Sequence, residues 1–297
     1  MFVSIVVPNY NHSKFLSQRI DSILSQTYRN FELIILDDCS NDNSVEVINR
    51  YAKHEKVSHV VINEQNSGST FIQWQKGFSL AKGEMIWIAE SDDYCDPDFL
   101  QTMVNCFFEN KKLAFAYCTS TLVDANSKPL SRKDFAEKIP EKVFEGVKFI
   151  KKYMLSHNSV WNASAVVFRK EFALCADNQF MNFKAAGDHL FWIELAEMGQ
   201  VAHISKKMNY FRQHGNKVTP TKTKDGTTYT EEHQIFTYVT NKYELSPYRV
   251  LKARCSFVRF ILKGDFLSDD IREKLLHLWG YKKWMTPVLL RIIIRLF

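Results

Sequence analysis

Over its first 90 residues the chain alternates short apolar runs with helix-patterned segments, and this alternation constrains the fold more than any other feature. The apolar runs cover residues 2–8, 31–36, 57–62 and 85–89. Each is short and bounded by turn residues, as buried strands are. Between them lie segments at 13–26, 43–53 and 70–81 with helical spacing. In the first, Phe15, Leu16, Ile20, Ile23 and Leu24 fall on one side, and Ser13 is the expected N-cap. Asn66-Ser67-Gly68-Ser69 supplies a turn and a cap, and Lys82-Gly83 ends the third helix. The order β-α-β-α-β-α-β predicts a mostly parallel sheet with helices on both faces. Asp37-Asp38 after the second strand and Asp92-Asp93 after the fourth then face one edge. That edge, the carboxyl end of the strands, is where open α/β sheets bind ligands.

The densest chemistry follows the fourth strand. Glu90, Asp92 and Asp93 put three carboxylates within four residues, and Asp96 and Asp98 follow. Crowded carboxylates repel, and a hard divalent cation relieves the repulsion while leaving room for phosphates. A metal–diphosphate site and a solvated acidic loop capping the next helix are both open on this stretch alone. No G-x-G-x-x-G follows the first strand, which disfavours a nicotinamide or flavin site. The net charge of +6 suits anionic partners, whether nucleotide phosphates, nucleic acid or an anionic bilayer. Six cysteines without a C-x-x-C pair argue against a zinc ribbon or disulfide framework and suit a reducing cytosol. The start, Met1 to Pro8, reads as a strand rather than a signal peptide. No apolar run reaches the ~18 residues of a membrane span.

Further along, 97–109 reads as a helix, 113–118 as a strand and 124–142 as a polar loop or short hairpin. A helix over 144–155, a strand over 160–169, a helix over 188–198 and two short strands at 201–204 and 208–211 follow. From about Glu232 the pattern is helical. The segment Trp284 to Phe297 is very apolar, with Arg291 and Arg295 four apart on one face, after Tyr281-Lys282-Lys283-Trp284. Such a segment suits an anionic bilayer surface; a helix packed on protein or in a dimer is the alternative.

Val3 to Asn11, Ser22 to Tyr28, Phe31 to Ser40, Asn66-Ser67-Gly68, Ala81 to Glu84 and Ser91-Asp92-Asp93 occur in the order and spacing of one family. Together they resemble family 2 glycosyltransferases, strongly over residues 2–110 and more weakly to about 219 through Gly187-Asp188 and Tyr210 to Asn216. The resemblance implies the GT-A fold: a nucleotide-binding half (1–110) and an acceptor half (111–219) around one sheet; beyond it, the residue pattern itself reads 220–297 as a helical extension. It implies an enzyme that moves a sugar from a nucleotide-sugar, usually a UDP-sugar, with inversion. Pro8, Asn9 and Tyr10 match the segment that holds the base, Tyr10 packing on the uracil and Asp38 accepting from its N3–H. Asn66 and Gly68 shape a turn near the nucleotide. Asp92 and Asp93 match the metal and ribose carboxylates, with Asp93 the first choice for direct ligation. Glu90 stands where Asp is commoner, and its extra methylene argues against ligation. His214 matches a residue near the diphosphate and metal. Asp188 matches the general base, although Gly187 stands where many relatives carry Glu.

The reaction needs Mn²⁺ or Mg²⁺ to take up charge on the departing diphosphate, a carboxylate to take the acceptor proton, and alignment of both substrates. The expected partners are a nucleotide-sugar donor, a glycan or lipid-linked acceptor and an anionic membrane surface. Nucleic acid is not expected, and an oligomer is compatible with the sequence. The expected place is the cytoplasm, peripheral on the inner face of the cell membrane, in cell-surface polysaccharide synthesis. A nucleotide-sugar-binding protein without catalysis and a sugar nucleotidyltransferase are the alternatives. The second lacks its Gly-rich, basic loop after the first strand, and retention of Asp38, Asp92, Asp93 and Asp188 argues against the first. Asp37, Lys76 and Arg169 are better read as structural or surface residues; Trp161, with Asn158 and Asn162 in the acceptor half, is open to stacking on a sugar face or burial in the core.

Overall fold

The structure, a computed structural model, describes residues 1–131, 139–215, 222–264, 266–282 and 289–290. It divides into two compact units, Met1–Gly146 with Val160–Asp177 and Glu194–Gly215, and Val147–Ser159 with Asn178–Ile193 and Asn216–Phe297.

The first unit is built on a nine-stranded sheet. Strands β1 (Val3–Asn9), β2 (Phe31–Asp37), β3 (Val57–Ile62) and β4 (Met85–Ile88) are parallel, in the order β3-β2-β1-β4. Every residue of β1, β2 and β4 is buried, the pattern of interior strands covered on both faces. Helices α1 (Ser13–Leu24), α2 (Ser44–Tyr51) and α3 (Thr70–Leu80) connect them. Phe15, Leu16, Ile20 and Ile23 are the buried apolar face of α1. At roughly 1.5–3 kcal/mol each, burial of these side chains rather than helix propensity holds α1 in place. Ser69 caps α3, its hydroxyl accepting from the Phe71 N–H at 3.3 Å. At α1 the cap position is His12, one residue before the expected Ser13, whose N–H instead donates to Asp42 at 2.9 Å.

Beyond β4 the sheet becomes mixed. The two-residue strand β5 (Tyr94–Cys95) and helix α4 (Phe99–Glu109) lead to β6 (Leu113–Val123), β7 (Lys142–Glu145), β8 (Val166–Arg169) and β9 (Gln200–Arg212). β8 runs antiparallel between β4 and β6, while β6 and β9 are parallel. The expected pair of short strands at 201–211 is the single strand β9. Its polar middle, Ser205 to Lys207, is exposed, and register shifts near Thr119 of β6 absorb the irregularity. The expected strand at 160–169 is shorter, because Asn162 caps a 3₁₀ turn at Ala163–Ala165. The expected helix at 144–155 starts later, as α5 (Gly146–Phe149) and a π turn at Ile150–Met154, since Phe144 belongs to β7. At 124–131 the chain turns back, with a bridge between Val123 and Pro129. Helix α6 (Lys170–Cys175) follows β8.

The second unit carries α7 (Gly187–Met198) as far as Ile193, and helices α8 (Thr227–Lys242), α9 (Pro247–Lys263) and α10 (Asp269–Leu278). Trp279, 1% exposed, is the centre of the C-terminal helices. It stacks on Phe257 at 4.1 Å, meets Phe236 at 5.3 Å, and its indole N–H donates to the Tyr229 carbonyl. The basic, apolar segment expected at 284–297 lies almost wholly outside the described residues. No helix among the described residues is long and apolar enough to cross a membrane.

Candidate active site

Because β1, β2 and β4 are parallel, their carboxyl ends meet at one edge, with Asn9 paired to Asp37 in register. Pro8 is a buried member of β1, paired with Leu36. Asn9 is buried, and its amide donates to Asp37 Oδ2 at 2.7 Å and Ser40 Oγ at 3.3 Å. Asp37 also accepts from the Ser40 N–H and hydroxyl. These residues fix the edge from below. Tyr10 projects from it, 46% exposed.

Asp38 is a hub. Its Oδ1 accepts from Asn63 Nδ2 (2.7 Å), the Ser67 N–H (2.9 Å) and Gln73 Nε2 (2.8 Å), and its Oδ2 from the Ser67 hydroxyl (2.8 Å). Asn66 donates to the Asp38 carbonyl and accepts from the Gly68 N–H, closing a tight turn. Gly68 takes φ +75°, a left-handed conformation that costs a side-chain-bearing residue strain.

The loop after β4 meets the end of β9 through β5. Tyr94 pairs with Tyr210 and Cys95 with Asn209, antiparallel. Continuing that register back from β5 and forward along β9 brings residues 92–93 to residues 211–212, with His214 two residues further on. The Tyr94 and Tyr210 rings stack at 4.4 Å. Asp93 faces inward: its Oδ1 accepts from the Arg212 N–H at 2.9 Å and its Oδ2 from Asn162 Nδ2 at 2.7 Å. Arg212, 1% exposed, donates from Nε to the Asp92 carbonyl (2.7 Å) and from its terminal nitrogens to Asp124 O, Ser127 Oγ and Gln18 Oε1. Arg19, fully buried, donates to the Glu90 carbonyl at 2.9 Å and lies over the Trp87 ring. The chain thus sets two buried guanidinium groups on the backbone carbonyls of the acidic loop.

Glu90 accepts from the Trp74 indole N–H at 3.0 Å. Desolvation first, and then the charges of Asp92 and Asp93, push its pKa up to about 8 despite the Trp74 bond and Arg19.

Asp92 faces the other way from Asp93. His214 Nε2 lies 2.9 Å from Asp92 Oδ2, and His12 Nδ1 lies 2.9 Å from the Ser91 hydroxyl. The two imidazoles meet edge to face at 5.2 Å. One ligand atom from each of His12, Asp92 and His214 can be taken so that all lie within 4.8 Å of one another. Two imidazole nitrogens and a carboxylate are a donor set that fits a first-row divalent ion such as Mn²⁺. His12 and Arg212 escaped the sequence reading. His12 follows a turn and carries no local signal of function; Arg212 ends β9 within the Tyr210–Asn216 stretch, but its buried bonds to the acidic loop have no signature in sequence.

In the second unit, Asp188 opens α7. Its Oδ2 accepts from Asn158 Nδ2 at 3.0 Å and its Oδ1 from the His189 N–H at 2.8 Å. Desolvation pushes its pKa up to about 7, against the lowering effect of His189. Among the residues read as structural, Arg169 donates to the Leu113 and Lys111 carbonyls and Lys76 to Asn63.

The chain belongs to glycosyl transferase family 2, whose sequence model matches residues 4–165. Its fold is the GT-A fold. A Nostoc sp. glycosyltransferase is 26% identical over 72% of this chain and 66% of its own length. TuaG of Bacillus subtilis, named for teichuronic acid biosynthesis, is 30% identical over 44% of this chain and 51% of its own. The chain thus spans between about half and two thirds of these relatives. Residues 1–349 of S. aureus TarS superpose with a TM-score of 0.68 at 20% identity, covering 99% of this chain and 83% of that one. The same TarS fragment has been solved with UDP-GlcNAc, at TM-score 0.61 and 18% identity over 99% of this chain and 91% of that one; both are likenesses of fold.

Proposed function

We propose that the enzyme transfers a sugar, with inversion, from a UDP-sugar to a hydroxyl of a glycan or lipid-linked acceptor in cell-surface polysaccharide synthesis. The observation that carries the reading is the convergence of His12, Asp92 and His214 at the sheet edge where Tyr10 stands exposed and Asp38 is fixed. The name of TuaG and the UDP-GlcNAc complex of TarS support the polymer and the donor class. In this reading Tyr10 stacks on the base, and Asp38 Oδ2, bonded only to Ser67 among the described residues, accepts from the base N–H. Asn66 and Gly68 hold the Asp38 loop, with Pro8 and Asn9 beneath.

Of Mn²⁺ and Mg²⁺ this donor set fits Mn²⁺ better, which Asp92 and His214 would hold with His12 as a third ligand, since Mg²⁺ prefers oxygen ligands. Asp93 becomes the strut that fixes Arg212 and Asn162, because its oxygens are turned to these two residues. A divalent ion supplies charge neutralisation for the leaving diphosphate. Asp188 takes the acceptor proton as the acceptor oxygen bonds the anomeric carbon and the bond to the diphosphate oxygen breaks. A carboxylate poised near 7 suits that work. We assign residues 1–219 to the catalytic domain and 220–297 to the extension, and place the enzyme peripherally on the cytoplasmic face of the membrane. Liposome flotation of the full chain against one lacking 281–297 tests the last point, and equal flotation removes it.

A thermal-shift and nucleotide-release screen tests donor and metal together, using UDP-, GDP- and dTDP-sugars with Mn²⁺ or Mg²⁺. Metal-dependent stabilisation by a UDP-sugar, lost in Asp92→Asn, is expected; no response to any nucleotide overturns the reading.

A further inference from the structure

We infer that Glu231 and Glu232, adjacent on α8, are positioning residues for Asp188, one fixing its backbone and the other the charge beside it. The inference rests on the reading of Asp188 as the base. Glu231, 8% exposed, accepts three consecutive peptide N–H groups: Lys184 at 2.7 Å on Oε1, and Ala185 at 2.9 Å and Ala186 at 2.8 Å on Oε2. These are the last residues before α7. The Ala186 carbonyl in turn accepts from the His189 and Leu190 N–H groups. One carboxylate thus ties down the peptide run that launches the helix, where a negative charge also complements the helix dipole. Asp188 is the second residue of that helix.

Glu232 acts through His189, which is 1% exposed. His189 Nδ1 lies 2.9 Å from Glu232 Oε2 and Nε2 lies 2.8 Å from the Met154 carbonyl. Both partners only accept when Glu232 is ionised, so both ring nitrogens carry protons and the ring is an imidazolium. Burial lowers its pKa, but the charge and hydrogen bond of Glu232, together with the Asp188 charge and the Met154 carbonyl, raise it overall. The charges acting on Asp188 are therefore the His189 cation and the Glu232 anion, and of the two His189 acts more strongly. Without Glu232, burial returns His189 to the neutral form, and Asp188 loses the cation that favours its ionised state. Both glutamates and Asp188 lie beyond the residues matched by the family model.

The test uses the full chain with Mn²⁺ and UDP-GlcNAc, water serving as acceptor, read as UDP release against pH, together with ¹⁵N NMR of histidine-labelled protein. In the native protein both ring nitrogens of His189 are expected to be protonated at pH 7. In Glu232→Gln the ring becomes neutral, and the acid limb of kcat/KM moves to higher pH with KM unchanged. Should that variant not fold, His189→Gln is expected to shift the limb the same way. Glu231→Gln is expected to lower kcat roughly tenfold, as misplacement of a reacting group does, without moving the limb. A neutral His189 ring in the native protein overturns the inference. So does an unmoved limb in Glu232→Gln while Asp188→Asn abolishes release. Full release by Asp188→Asn instead sinks the base assignment itself, with the NMR result standing apart from it.

Discussion

Asp92 and His214, 122 residues apart in sequence, meet at 2.9 Å, while Asp93 beside Asp92 turns the opposite way to bind Arg212 and Asn162. Two adjacent aspartates thus do different work, and different substitutions separate them. Asp92→Asn is expected to lower Mn²⁺ affinity at least about tenfold to hundredfold, the range seen even for outer-shell residues, with little change in Tm. Asp93→Ala leaves the Arg212 N–H and the Asn162 amide without their acceptor and is expected to cost about 2–4 kcal/mol in denaturant melts. Mn²⁺ electron paramagnetic resonance and urea unfolding check the two halves.

Arg212 joins the acidic loop, α1 and the turn at 124–127 through one buried guanidinium. Arg212→Met leaves the buried Asp92 carbonyl and two half-buried acceptors, Asp124 O and Ser127 Oγ, without this donor and is expected to destabilise the fold by about 1–3 kcal/mol. Lys206, whose pairing with Asp98 is exposed, serves as the control: Lys206→Ala is expected to leave Tm unchanged.

Tyr10 is 46% exposed at the ligand edge. Tyr10→Ala is expected to weaken UDP binding roughly tenfold, the loss of one stacked base, while leaving Tm of the free enzyme unaltered. Calorimetric titration with UDP and Mn²⁺ measures it, and an unchanged affinity removes Tyr10 from the pocket.

Asp188 titrates at about 7 instead of 3.8, so between these values the folded protein holds a proton that the unfolded chain has released. Its contribution to stability therefore falls as pH rises from ~4 to ~7. His189, raised from 6.5, contributes stability that is full below that value and is lost as pH climbs past its folded pKa. Asp188→Asn removes the cost of the ionised carboxylate. It is expected to raise Tm at pH 8 while cutting turnover by roughly 10²–10⁴-fold.

Gly68 sits at φ +75° with open space around its missing Cβ. Gly68→Ala thus meets strain and no clash, and is expected to cost about 1 kcal/mol. The turn it shapes is bonded to Asp38, so UDP affinity is expected to fall with it.

Much of this was legible in the sequence. Apolar runs such as Ile5 to Val7 and Leu33 to Leu36 can be satisfied only as interior strands, and the segments between them only as covering helices. Parallel order then forces Asn9, Asp37-Asp38 and the 90–93 loop to one edge, because every strand of that half points the same way. The family followed from the motifs set in that order. The sequence could not say which way each of two neighbouring aspartates faces. That is decided by the β5–β9 pairing, which brings Arg212 and His214 to the acidic loop from more than a hundred residues away. Nor could it bring His12 to Asp92, or Glu231 and Glu232 to the first turn of α7. Periodicity reports a residue's own strand or helix, whereas a partner across the fold is chosen by packing. The charges, ligand sets and raised pKa values of this enzyme are properties of those partners.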